Sequence, residues 1–215
     1  MPVWRPTTNW EHQEVFIIGG GDSLRHFDWS LLKDERTIGC NDAYKLGADI
    51  CKLCVFGDVV WFQENESALA AYKGVVFTNA VRLYHTQLPW LWTLQRKPIG
   101  LSRSKLAWNG NTGATAVNLA LILGANKIFL LGFDMHLAKD GKKNWHSQLS
   151  TRPKKSNYAK FLEGFLQLSI ALKSGIFNCE IINVTDNSDL DLFQKVACAK
   201  FWDERRANAC NSKLR

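Results

Sequence analysis

The sequence predicts one α/β domain built on a mostly parallel sheet with helices on both faces. Three observations predict it. Strand-like runs such as VFII (15–18) and KIFLL (127–131) show no polar alternation, as expected where both faces of a sheet are covered. Segments with helical spacing alternate with those runs through most of the chain. Five of the runs end in glycine or short polar residues, and in an open parallel sheet such ends gather on one edge, where ligands bind.

The elements follow in order. Residues 15–18 read as the first strand and run into Gly19, Gly20 and Gly21, then Asp22 and Ser23. Residues 23–32 form a short helical or turn segment. A second strand covers 37–40 and ends at Asn41 and Asp42; a third covers 50–56 and ends at Gly57 and Asp58. Residues 58–71 have helical spacing, with Val59, Phe62, Leu69 and Tyr72 on the apolar side. Two short β-prone runs follow at 75–78 and 81–84. The Trp- and Pro-rich stretch 88–111 reads as irregular. A helix from about Ala114 to Leu123, capped at Gly124, leads into a strand at 127–131 that ends in Gly132, Phe133, Asp134, Met135 and His136. A helix at 157–173 sets Phe161, Phe165, Leu168 and Leu172 on one face. The last strand, 179–184, ends in Thr185, Asp186, Asn187 and Ser188, and Ser188 with Asp191 three residues on resembles a capping box that opens a final helix.

Composition narrows the class. With 215 residues, 46% hydrophobic and 22% charged, and no break in composition, the chain fits a single globular domain. Lysine and arginine (27) exceed aspartate and glutamate (20), a formal charge of +7 that favours anionic partners such as nucleotides or sugar phosphates; nucleic acid is a weaker reading, since charge alone carries it. The excess is dense at Lys139, Lys142, Lys143, Arg152, Lys154 and Lys155, a long polar segment over about 138–156 that reads either as solvated surface or as a basic lid. A second basic cluster, Arg205, Arg206, Lys213 and Arg215, lies at the C-terminal end. The N-terminus has no signal pattern and no stretch approaches 18 apolar residues, so the expectation is a cytoplasmic protein without a membrane span. The cysteines then read as free buried thiols, and Cys51 with Cys54 is a lone CxxC lacking the second pair that a zinc site needs.

The strand ends nominate the site. The glycine run reads either as a tight strand-to-helix turn or as clearance for a ligand, with main-chain N–H groups at Gly20, Gly21 and the following turn facing a phosphate. Thr112 reads either as the natural N-cap of the helix after it or, with Asn111 and the helix N-terminus, as a second polar wall of the site. Asp134, His136 and His146 form a constellation open to three readings: metal ligation, general base chemistry at His146, or no role.

The strings IIGGGDSL, CNDAY, NTGATAVNLALILGANKIFLLGFDM and VTDNS, in that order, resemble a superfamily of nucleotide-using enzymes. It includes bacterial sialyltransferases that use CMP-sialic acid, archaeal 6-hydroxymethyl-7,8-dihydropterin pyrophosphokinases and uncharacterised phage-encoded proteins. The likeness is nearest to the last and spans about residues 15–193. It implies a Rossmann-like sheet, with Gly19, Gly20, Gly21, Asp22 and Ser23 at the nucleotide phosphates or ribose and Asn41 against the nucleotide. Thr112 and Gly113 match a Ser-Gly pair that meets the donor, and Gly132, Phe133 and Asp134 match a Gly-Ile-Asp turn beside base and ribose. His146 is the equivalent of the histidine that activates the acceptor hydroxyl. The sequence departs from the pattern at Asp22, where the family has proline, at Gly20, where the sialyltransferases have asparagine, in a shorter span from Asp134 to His146, and in having Tyr158 alone where they have a tyrosine pair.

The expected activity is therefore a nucleotide-dependent transferase, most like a glycosyltransferase, with a nucleotide-sugar donor (CMP-type included) and a hydroxyl acceptor. His146 and Asp134 are the candidate catalytic residues; Asp58 and His136 join the cofactor-binding set. One alternative is a pyrophosphokinase-like enzyme using ATP and Mg²⁺ through Asp22, Asp58 or Asp134. Another is a non-catalytic nucleotide-binding phage protein, acting in the host cytoplasm, with 90–108 as a contact surface.

Overall fold

The computed structural model describes residues 10–138, 141, 144–146 and 157–212, with side chains through 208. Eight strands form one parallel sheet: β1 (Glu14–Ile18), β2 (Thr37–Cys40), β3 (Leu53–Phe56), β4 (Val75–Thr78), β5 (Leu91–Thr93), β8 (Lys127–Leu131), β9 (Glu180–Asn183) and β10 (Gln194–Lys195). Their spatial order is β10-β9-β8-β1-β2-β3-β4-β5. A separate parallel pair, β6 (Arg96–Lys97) and β7 (Leu106–Ala107), lies beside them. The helices are α1 (Val59–Ala71), α2 (Thr112–Ile122), α3 (Tyr158–Lys173) and α4 (Cys198–Ser212). The architecture is the expected Rossmann-like α/β domain.

Strand order reverses at β1. The chain steps outward through β2 to β5 on one side, then returns to lay β8 against the other side of β1. Ile17 is in register with Ile38 of β2 and with Leu130 of β8. A crevice opens beyond the carboxyl ends of the strands at such a reversal.

The unbroken apolar strands have a simple cause. Val15, Ile17, Ile128 and Leu130 face one side, where they meet α2 and the Phe165 and Leu168 face of α3. Their neighbours Phe16, Ile18, Phe129 and Leu131 face the other side and pack under Phe201 and Trp202 of α4 and the short turns around Leu24 and Leu32. Alternate residues thus serve two cores, so neither set is polar. The helix α2 is apolar nearly all round because it is enclosed: Ala114 through Leu121 are all buried.

Local expectations differ from the structure in five places. Residues 81–84 form a 3₁₀ turn (Val81–Leu83), because the edge beside β4 is already taken by β5. β3 begins at Leu53, not at 50; Thr37 Oγ1 bridges Ile50 O and Lys52 N there and interrupts the ladder. The stretch 88–111 is not wholly irregular, since it contributes β5, β6 and β7. α2 starts at Thr112 with Asn111 as its N-cap, not Thr112: Asn111 Oδ1 accepts the Ala114 N–H at 2.7 Å. The final helix starts at Cys198 and not at Ser188, whose buried hydroxyl donates to Phe133 O, while Asp191 pairs with Lys195. No helix among the described residues is long and apolar enough to cross a membrane.

The α4 core gives a direct test. Phe129 is enclosed by Phe16 (ring centroids 4.9 Å apart) and Phe201 (4.7 Å). Phe129→Ala should cost about 3–5 kcal/mol, read as a lower denaturant midpoint at unchanged m-value.

Candidate functional site

The site is assembled where the turns leaving β1 and β8 touch. The Gly19 N–H extends the ladder to Leu131 O at 2.8 Å, and the Gly21 N–H donates to Gly132 O at 2.8 Å. A Cβ on Gly19 would lie 2.5 Å from Gly132 O, and one on Gly21 would lie 2.6 Å from the same oxygen and overlap the Asp134 carboxylate. Asp134 in turn accepts the Ser23 N–H at 2.8 Å and the Ser23 hydroxyl at 2.6 Å. Two of the three glycines therefore exist for contact between the two turns. Gly132 itself sits at φ +70°, with the Leu24 side chain where its Cβ would be.

This changes the phosphate-binding expectation. The N–H groups of Gly19, Gly21 and Ser23 are already committed to protein acceptors. Among the described residues, the loop N–H groups without such an acceptor are those of Gly20 and Asp22. Gly20 is the least crowded of the three: a Cβ there would meet side chains rather than backbone, Asn144 Oδ1 at a tight 3.1 Å and His146 Nε2 at 3.6 Å.

In front of the loop lies a cavity of about 480 Å³, within the roughly 300–1,000 Å³ typical of small-molecule sites. Of the residues proposed from sequence, it brings together Gly19, Gly20, Gly21, Asn41, Asp58, Asn111, Thr112, Gly113, Gly132, Phe133, Asp134, His136 and His146. Asp22 and Ser23 face a neighbouring open cleft with Arg25 and Asn187, and Asp22 is paired with Arg25. Asp42, named at the end of the second strand, and Tyr158, the lone counterpart of the tyrosine pair, also line it, whereas sequence reasoning missed Trp61, Trp108 and Phe161 of the aromatic wall, as well as Asn144. Trp61 lies one turn into the helix capped by Asp58, and Asn144 lies two residues before His146; those proximities were the available signals.

At the far side the cavity meets the N-terminus of α2. Asn111 satisfies Ala114, which leaves the Thr112 and Gly113 N–H groups as first-turn donors without an intrahelical acceptor. Thr112 Oγ1 reaches Asn41 Oδ1 at 3.4 Å. Gly113 is small because Phe133 and Phe165 fill the space beside it. The positive end of this 11-residue helix favours an anion there.

The three acidic walls are each held by protein donors. Asp58 caps α1 by accepting from Val60 and Trp61 N–H. Asp134 holds Ser23. Asp42 pairs with Lys45 and accepts the Trp61 indole N–H at 3.3 Å. Among the described residues no lysine or arginine lines the cavity. The basic lid proposed at 138–156 falls largely outside the described residues, including Lys139, Lys142, Lys143, Arg152, Lys154 and Lys155.

The two histidines differ. His136 sets Nε2 2.6 Å from Asn187 O and Nδ1 2.9 Å from Leu137 O. Both partners are acceptors, so the doubly protonated ring satisfies both, and these bonds raise its pKa. His146 is reached through Trp145, whose main-chain N–H donates to Gly20 O at 3.1 Å and whose indole N–H donates to Gly19 O at 2.9 Å. Burial lowers the His146 pKa below 6.5; Asp42 opposes the shift and Lys45 adds to it. A neutral imidazole in a cleft has the properties of a general base.

Among the described residues no group of three or more His, Cys, Asp or Glu is placed to hold a metal ion. Cys51 and Cys54 are buried, and burial pushes the Cys51 thiol up to about 11 and that of Cys54 higher than usual, so neither is poised as a nucleophile. No family model matches the chain, and no curated protein matches it either.

Two measurements check this account. Gly21→Ala should lose about 1–3 kcal/mol or more through overpacking against Gly132 and Asp134, whereas Gly20→Ala, which meets only side-chain atoms that can shift among its nearest neighbours, should lose clearly less, compared by denaturant unfolding. His146 binds a proton more weakly folded than unfolded, so its contribution is present above about 6.5 and is lost as pH falls through the folded value. Melting temperature should therefore fall less steeply below pH 6.5 in His146→Ala than in the wild type.

Proposed function

We propose that the protein is a nucleotide-dependent transferase of the glycosyltransferase kind, with a nucleotide-linked donor lying across the strand ends and a hydroxyl acceptor above it. One observation carries the reading: His146, largely covered and with its pKa lowered by burial, faces the Gly20 floor of a cavity that also holds N–H groups, those of Gly20 and the α2 N-terminus, with no protein acceptor among the described residues. The base and the anion donors thus share one space, which is what transfer from a phosphate leaving group to a hydroxyl requires.

Roles follow from position. The Gly20, Thr112 and Gly113 N–H groups bind phosphate oxygens and steady the charge that grows on the leaving group. The aromatic wall of Trp61, Trp108, Tyr158 and Phe161 takes the base or sugar faces. His146 takes the acceptor proton. Asp134 is assigned to holding the glycine loop through Ser23, and His136 to tying the turn after β8 to Asn187. The pyrophosphokinase reading is less favoured, because Asp22, Asp58 and Asp134 are each engaged by protein donors.

The test is a thermal-shift screen against CMP, UDP, GDP, ADP and ATP with and without Mg²⁺, since a ligand that binds the folded form raises its melting temperature. Stabilisation by a nucleoside mono- or diphosphate without Mg²⁺ is expected. Stabilisation by ATP that disappears in EDTA would support the pyrophosphokinase instead. With a turned-over donor in hand, His146→Ala should lower kcat by about 100-fold or more and leave the nucleotide-induced shift intact; unchanged turnover would show that the base lies elsewhere.

A further inference from the structure

We propose that Asp42 is the positioning residue of this site: it holds His146 with Nδ1 toward a carboxylate and Nε2 toward the cavity. The catalytic meaning of that arrangement rests on the function proposed above; the arrangement itself does not.

Asp42 follows β2 in the 3₁₀ turn Asn41–Leu46, and Asn41 at φ +51° swings the chain back toward the sheet edge. The carboxylate is held at both oxygens. Oδ1 pairs with Lys45, and Oδ2 accepts the Trp61 indole N–H at 3.3 Å. That same Oδ2 lies 3.7 Å from His146 Nδ1, a charge-contact distance just beyond a hydrogen bond. The side chains are largely covered, at 18% and 16% exposure, so water screens the pair only in part. The opposite ring nitrogen, Nε2, is the one near Gly20. Trp145 stands perpendicular to the imidazole, with ring centroids 5.0 Å apart, and limits its rotation.

Among the described residues, other titratable groups lie around His146 or line the cavity, and none duplicates Asp42. Lys45 comes from the same turn and opposes protonation. Asp58, at the start of α1, is turned to its own helix N–H groups. Asp134 and His136, after β8, are turned to Ser23 and Asn187. Lys45 is half exposed, so pairing it alone would not require a carboxylate sealed beneath Trp61.

The chemistry gives the carboxylate its purpose. For His146 to accept a proton at Nε2, its own hydrogen must sit on Nδ1, and an anion facing Nδ1 favours that tautomer. The proton then moves from the acceptor hydroxyl to Nε2 while Nδ1 keeps its hydrogen. The oxygen's electron pair forms the new bond to the sugar as the bond to the nucleotide phosphate oxygen breaks, and that pair leaves on the phosphate. The imidazolium formed lies against the Asp42 carboxylate, which stabilises it without taking the proton.

The experiment uses the full chain with ¹⁵N-labelled histidine, His146→Ala assigning one signal among the five histidines. Ring nitrogen shifts should show the Nδ1–H tautomer at His146 in the wild type. In Asp42→Asn the same ring should titrate at lower pH, and Asp42→Glu should move it back up. An Nε2–H tautomer in the wild type would overturn the proposal, and so would an unchanged titration in Asp42→Asn. The wild-type tautomer needs no variant, so the proposal stays testable if Asp42→Asn does not fold. With a donor substrate, Asp42→Asn should lower kcat about tenfold or more at little change in KM; an effect on KM alone would count against positioning. If His146→Ala retains turnover, the base proposed above lies elsewhere, while the tautomer and titration still decide the geometry.

Discussion

The backbone contact between the turns leaving β1 and β8 is the constraint on which the rest of the site depends. It is made by the Gly21 N–H on Gly132 O and is closed by Asp134 on Ser23. Side chains at positions 19 or 21 would force the turns apart. Separation there would spread the crevice at the strand-order reversal and detach the carbonyls of Gly19 and Gly20, on which Trp145 is hung. Packing and cavity geometry are thus one problem in this fold, and a loss at the turn would be felt as a displaced His146 ring.

The framework was legible because the sheet is buried on both faces. Strands such as VFII and KIFLL have no other reasonable placement, and β2, β4 and β8 fall at the expected residues. Errors came where tertiary contact outweighs local preference. Residues 81–84 have β-prone side chains, yet the edge of β4 is filled from farther along the chain by β5. Ser188 and Asp191 have capping-box spacing, yet the serine hydroxyl is drawn inward to Phe133 O. Neither fact has a local signal.

The site was legible as a place rather than as a set of bonds. Strand-end composition gathered most of the cavity wall correctly, because topology alone brings those ends together. What composition could not reveal is which donors are already spent. The triple glycine suggests bare peptide groups facing a ligand, but Gly19 and Gly21 are small for the sake of the neighbouring turn, and Gly20 has the side chains of Asn144 and His146 against it. In the same way, Asp58 is a helix cap and Asp134 a loop clamp before either is anything else. Most of the aromatic wall escaped notice because Trp61 and Trp108 come from segments that are distant in sequence and show no shared motif.

Trp145 spans two consecutive carbonyls with two separate donors, one from its main chain and one from its ring. The His146 ring and the Gly20 backbone beside it are in that way yoked into one mechanical part. Any displacement of the two glycine carbonyls would be handed on through the indole to the imidazole that follows it in the chain.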